Sequence, residues 1–386
     1  MRTLFELLDT DDGRAFLAER GLFTDRDEFR AQLKPPVNDL LSDAVGLPPG
    51  SPIVHIGQQV CTDYAPWTLS KFVAGAELRA HEDAVPLVLW HDMYQAEAER
   101  FGMRLVLPAG SKQRGIWLAP RSAGRAEPRF IPVGRPAVEE ALGQLRDWVT
   151  HSVQGRTKPE RAAALQRMAV LSETVLAGNL DTLGQVAGGL AGFLLTQRLG
   201  VALPRVFLSE LMDRGVFTAP MDAFLGRLDE VIVVFNEAVA ELVDLDIDPQ
   251  VRPLPEDYLP LHYSCPADDT RLRLSRDRSA GHHAVATCGC GTDYRFDLGS
   301  DPIGLGELAA TGRWSPDVSL PVHHNDQASG WVVGRSTALY GIVLNTVIDK
   351  VMGGRAIPGW IPPDLLSGPR PGDPGASLLV EYLLGP

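Results

Sequence analysis

The stretch IVHIGQQVCTDY, residues 53–64, decides how the rest of the chain is read. β-Branched residues and a histidine run into Gly57, two glutamines follow, and a helical pattern begins near Trp67. That order predicts a strand, a tight glycine turn and a helix start, the junction at which an α/β sheet binds ligands. Glycine lets the backbone approach a ligand closely, and the free N–H groups of a helix start favour an anion. His55 and Gln58 fall at the mouth of the expected turn.

Before this stretch, residues 1–50 read as two or three short helices closed by the turn LPPGSP at 47–52. After it, VPLVLW at 85–90 is apolar at nearly every position, as a parallel strand covered on both faces should be. It ends in His91-Asp92. Two consecutive strands that end in polar groups are the pattern of a ligand crevice in a doubly wound sheet. Asp92 serves equally well as the N-cap of a following helix.

From about residue 137 to 245, segments such as EEALGQLRDWVTHSV and MDAFLGRLDEVIVVFNEAVAEL repeat apolar residues at helical spacing. Within them PRVFLSELMDRGVF, residues 204–217, reads as a strand and helix returning to the sheet. Gly188, Gly189 and Gly192 are expected to permit close helix packing.

A compact unit follows, HYSCPADDTRLRLSRDRSAGHHAVATCGCGTDYRFDLG at 262–299. Cys265 lies in one glycine- or proline-bearing knuckle, Cys288 and Cys290 in another, with strand-like alternation between them. Thiolates on two such turns can converge on one tetrahedral ion, the construction of a structural zinc ribbon. Four ligands are needed; Asp268 stands where the second cysteine of a CxxC pair would lie, with His262, His282 and His283 as rivals. The last part, SPDVSLPVHHNDQASGWVVGRSTALYG at 315–341, predicts strands near Val318 and at 331–333, a polar patch at 323–327, and a turn at Gly334.

A formal net charge of −13 disfavours nucleic acid and anionic membrane surfaces, since phosphate binding needs a basic face. The amphipathic opening MRTLFELLDTDDGRAFLAERG is not a signal-peptide pattern, and no apolar run has spanning length, so a cytoplasmic protein is expected. Cys61 suggests a thiol nucleophile only weakly, because no base is identifiable beside it.

Three separated pieces resemble the bacillithiol-synthesis cysteine ligase family: Gly57-Gln58-Gln59, the strand ending Trp90-His91-Asp92, and SPDVSLPV…GWVVGRSTALYG. Members join cysteine to a glucosamine–malate conjugate. The resemblance implies a Rossmann-like parallel core, similar to class I aminoacyl-tRNA synthetases, interrupted by a helical insertion and a small zinc-ribbon unit. His55-Ile56-Gly57 is similar to the HIGH signature of those synthetases, with Gln58 in place of the last histidine. The expected division is 1–136 and 301–386 for the core, 137–254 for the insertion and 255–300 for the ribbon. The chain departs from the pattern in three places: no KMSKS-like loop is visible, the family's long helical coiled coil is not found after Asp349, and Ser336-Thr337 replace an acidic position. A substrate other than that of bacillithiol synthesis is therefore expected.

The implied function is a ligase that forms an amide between an amino acid, cysteine being the first candidate, and a small-molecule amine, with ATP or a pre-activated donor. Under it His55 holds phosphate or carboxylate oxygens, Asp92 the ammonium group, and His91 is the general base. Gly57, Gln58, Gln59, Trp90 and Gly334 bind substrate or nucleotide, and Asn325, Asp326 and Gln327 orient the acceptor. Cys265, Asp268, Cys288 and Cys290 hold zinc. A homodimer is a further expectation. The alternatives are a non-catalytic nucleotide or amino-acid binder, and a tRNA-aminoacylating enzyme.

Overall fold

The structure, a computed structural model, describes all residues except 65, 82–83, 110–111, 318–326, 335, 363–376 and 386, and omits the side chains of 66 and 67. In chain order the strands are β1 (Leu22–Phe23), β2 (Ile53–Gln59), β3 (Val85–His91), β4 (Arg104–Ala109), β5 (Lys112–Trp117) and β6 (Arg205–Phe207). Then come β7 (Tyr258–Ser264), β8 (Arg271–Asp277), β9 (His283–Thr287), β10 (Asp293–Asp297), β11 (Trp314–Pro316), β12 (Gly330–Val332) and β13 (Gly359–Trp360).

Six of these form a parallel sheet in the order β1-β13-β12-β2-β3-β6. Alternation along its central strands feeds two cores. Ile53, Leu87 and Leu89 enter one, with the helices Leu228–Asp244 and Ala338–Val347. Val54, Ile56, Val88 and Trp90 enter the other, with the helices Pro66–Ala80, Arg135–Ser152, Lys158–Ala177 and Leu183–Leu199. Cover on both faces explains why β3 reads as an unbroken apolar run. The protein is thus of mixed α/β class. No helix among the described residues is long and apolar enough to cross a membrane.

The elements between Arg135 and Asp244 are helices joined by short connections, apart from β6, which pairs in parallel with β3. A Cβ on Gly188 would lie 2.6 Å from the Phe207 ring, and one on Gly192 only 1.8 Å from the Arg205 guanidinium. Glycine at these positions therefore lets the helix Leu183–Leu199 lie directly on β6. Gly189 has no such neighbour.

One expectation is corrected. Gly57 is not a turn: β2 continues through Gln59, with Gly57, Gln58 and Gln59 opposite Leu89, Trp90 and His91, and helix begins only at Pro66. The glycine is needed for another reason, because a Cβ there would sit 3.0 Å from His91 Nε2.

A second, antiparallel sheet of five strands has the order β10-β9-β8-β7-β11, and its β7 and β8 share a cavity with the ends of β2 and β3. Its β11 lies beyond residue 300 and pairs with β7 through Trp314↔Tyr263. A buried carboxylate fastens the two sheets' surroundings together. Glu127, fully buried, accepts from Arg129 Nε at 2.7 Å, Arg271 Nε at 2.9 Å and Ser315 Oγ at 2.6 Å.

Candidate functional site

From β2 the chain adds β3 and then β6 on one side, and returns to place β12 and β13 on the other. The crevice beyond the C-terminal strand ends at such a reversal is where open α/β sheets bind ligands. A cavity of ≈ 660 Å³ lies there. Gly57, Gln58 and Gln59 of β2, His91 of β3 and Gly334 after β12 form its floor, with Thr68 and Lys71 of the helix Pro66–Ala80. His262 of β7, Arg271 and Arg273 of β8, and Asp317 form its roof. Tyr94 and Glu99 close the side.

The floor carries one half-buried cation beside a half-buried histidine. Lys71 Nζ donates to the Gly57 carbonyl at 2.6 Å, and burial pulls its ammonium down to about 8. Burial first, then the Lys71 charge, pulls His91 down to about 3, so the imidazole is neutral at ordinary pH. Its Nε2 is buried without a hydrogen-bond partner. Across the floor, Thr337 does not cap the helix Ala338–Val347; its hydroxyl instead accepts from Gly334 N at 3.1 Å. The N-terminus of that helix, at Ser336 and Thr337, borders the cavity and adds its dipole to Lys71. Together they favour a phosphate or carboxylate.

The roof carries its two cations on β8, in register with β7. His262 faces Arg273, and Ser264 faces Arg271. Burial, followed by the two arginines, pulls His262 down to about 2. Arg273 lies over the Tyr258 ring, whose hydroxyl donates to Asp317 at 3.3 Å. Burial raises the Glu99 carboxyl. Three cations and two carboxylates around one cavity suit a ligand with separated anionic and ammonium or amine groups.

Of the residues singled out in the sequence, Gly57, Gln58, Gln59, His91 and Gly334 meet on this cavity. His55 is 4% exposed in mid-strand and does not line it. Asp92 is also turned away. Its carboxylate accepts from Ser209 N at 3.1 Å and from the Ser209 hydroxyl, and burial raises it to about 6. Trp90 is buried in the core, stacked on Tyr64 at 5.8 Å. Gln327 is buried and donates to the Val216 carbonyl at 3.4 Å. Asn325 and Asp326 lie outside the described residues, as do His323, His324 and Val318. The Cys61 thiol, 3.8 Å from the Tyr94 hydroxyl, is pushed up by burial, which suits packing and not attack.

Cys265, Asp268, Cys288 and Cys290 converge, one ligand atom from each lying within 4.8 Å of the others, and this cluster can hold a metal ion. His262 lies on the cavity roof, His282 bonds to Arg276 and His283 to Arg295.

Lys71, Arg271 and Arg273 escaped the sequence reading, and Thr337 was noted there only as a departure from the resembled family. A signal existed for each charged one. Lys71 stands three, four and seven residues before Ala74, Gly75 and Leu78, on the inward face of the helix. Arg271 and Arg273 alternate in RLRL, so both point to one face of a strand. No protein-family model matches this chain, and no curated protein sequence matches it.

Proposed function

We propose that the chain is a carbon–nitrogen ligase with a Rossmann-like core, joining an amino acid to the amine of a small acceptor in this cavity. Cysteine is the first candidate for the amino acid. The observation that carries the reading is that Lys71 and His91 line the same cavity at the sheet reversal, close enough for the Lys71 charge to depress the imidazole. Lys71 and the helix start hold the anionic leaving group of an activated acyl donor, ATP being the activating co-substrate. The acceptor amine attacks the acyl carbon; the C–N bond forms, the C–O bond to the phosphate-bearing group breaks, and the amine proton passes to His91. An anion paired with Lys71 cancels the charge that helps depress His91, so its basicity rises when the donor is bound.

The cysteine cluster fits zinc in a structural role. Tetrahedral ligands at about 2.3 Å for sulfur and about 2.0 Å for oxygen stand roughly 3.5–3.8 Å apart. Here Cys265 Sγ and Cys290 Sγ are 3.7 Å apart, and Cys288 Sγ is 3.5 Å from Asp268 Oδ1.

A second reading, a non-catalytic binder of nucleotides or amino acids, is favoured by one observation: His55 and Asp92 both stand off the cavity. Incubation with ATP, the common amino acids and glucosamine as acceptor, followed by mass spectrometry, separates the two. A new amide formed by the native protein and lost in His91→Ala supports the ligase. Ligand retention without any amide supports the binder.

A further inference from the structure

We propose that a metal ion held by Cys265, Asp268, Cys288 and Cys290 sets the ligand affinity of the cavity, with Arg271 as the positioning residue that transmits it. This rests on the cavity being the ligand site, and not on which reaction occurs there.

The connection is a matter of chain geometry. The knuckle that joins β7 to β8 is closed on itself: Asp269 N donates to the Cys265 carbonyl at 2.8 Å, and Cys265 N to the Thr270 carbonyl at 3.0 Å. The next residue is Arg271, and the Ser264↔Arg271 pair is the last of the β7–β8 ladder before the knuckle. Arg271 lines the cavity roof while its Nε is held by Glu127 at 2.9 Å. Thus one end of the roof pair carries a metal ligand, Cys265, and the other a cavity cation.

The second hairpin supplies Cys288 and Cys290 from the turn between β9 and β10. Its backbone does not follow β8 to the tip. The β8–β9 ladder pairs Ser275, Arg276 and Asp277 with Val285, Ala284 and His283, and leaves Arg271 to Leu274 without a β9 partner. At the tips the hairpins meet through side chains: Cys265 with Cys290, Cys288 with Asp268, Cys265 Sγ with the Tyr294 hydroxyl at 3.0 Å, and the Tyr263 and Tyr294 rings. A divalent ion there replaces weak contacts by four bonds, at the end of β8 that is paired with β7 but not with β9 and carries the two roof arginines. Metal loading therefore fixes the knuckle, the knuckle fixes the β7–β8 register, and the register fixes Arg271 over the cavity.

Coupling of this kind is reciprocal: whatever factor the metal contributes to ligand affinity, the ligand must return to metal affinity. The test uses inorganic phosphate as the probe and calorimetry on the full chain, zinc-loaded and chelator-stripped. We expect the phosphate Kd to weaken roughly 5–100-fold on stripping. Saturating phosphate should tighten zinc, measured by chelator competition, by the same factor. In Arg271→Gln the phosphate Kd weakens and no longer depends on zinc. A metal that merely stabilises the hairpins leaves the two affinities independent.

Equal phosphate affinity in folded loaded and stripped protein overturns the proposal, as does coupling that survives Arg271→Gln. So does phosphate that binds neither form. If the stripped chain loses its circular dichroism, the comparison moves to Asp268→Asn, which keeps three thiolates and lowers zinc occupancy; there phosphate affinity must track occupancy. Coupling without amide formation contradicts the ligase alone, and amide formation without coupling contradicts this inference alone.

Discussion

The floor and the roof of the cavity hold their charges by opposite means. On the floor, the half-buried Lys71 stands on its helix beside a neutral His91, and no carboxylate among the described residues pairs with it. On the roof, Arg271 is answered by the buried Glu127, which also takes Arg129 and Ser315. The difference separates stability from binding. A charge buried without a partner costs stability and keeps its field for a ligand, whereas a charge tied into a network stabilises the fold and spends part of its field there.

The largest effect should follow from cutting the roof network. Glu127→Ala leaves two nearly buried arginines without their carboxylate, and a loss of about 3–5 kcal/mol in denaturant unfolding is expected. A loss under about 1 kcal/mol would show that the roof does not depend on it.

Next in size is the floor, with the sign reversed. The folded pKa of Lys71, about 8, lies below its unfolded value near 10.5. The folded state therefore binds fewer protons between these values, and stability rises with pH across that window. Below about 8 the whole cost, about 3 kcal/mol, is present. Lys71→Met should thus be more stable than the native protein at neutral pH, by up to about that amount, and should lose the extra alkaline slope. The same variant should bind phosphate at least roughly tenfold more weakly, as loss of a buried cation implies. Greater stability with phosphate binding intact would remove Lys71 from the site.

A smaller effect distinguishes residues on the cavity from residues beside it. Asp92→Asn keeps one acceptor for Ser209 and should lower stability by about 1–2 kcal/mol while leaving phosphate affinity unchanged. A large change in affinity would return Asp92 to the site.

The two regions also differ in how far they could be read in advance. β2 and β3 were legible because strands buried on both faces leave long apolar runs, and His91 because it ends one of them. The cysteine cluster was legible because tight knuckles fix ligand spacing over a few residues. His55 and Asp92 lie off the cavity, which motif position could not tell because it does not give where a side chain points. The pleat carries His55 into the interior, and Ser209, 117 residues further on, takes the Asp92 carboxylate. β1 and β13, two residues each, are set by pairing across more than three hundred residues and leave no periodicity. Gly57 shows the limit of a residue-by-residue reading. Its role is space for His91, which depends on the neighbouring strand's register.

That one cavity, bounded by both sheets, is the site of binding can be tested by hydrogen exchange with and without phosphate and L-cysteine. Slowed exchange is predicted both around Gly57 and Gly334 on the floor and around His262 and Arg271 on the roof. Protection confined to one sheet, or lying elsewhere in the chain, would contradict it.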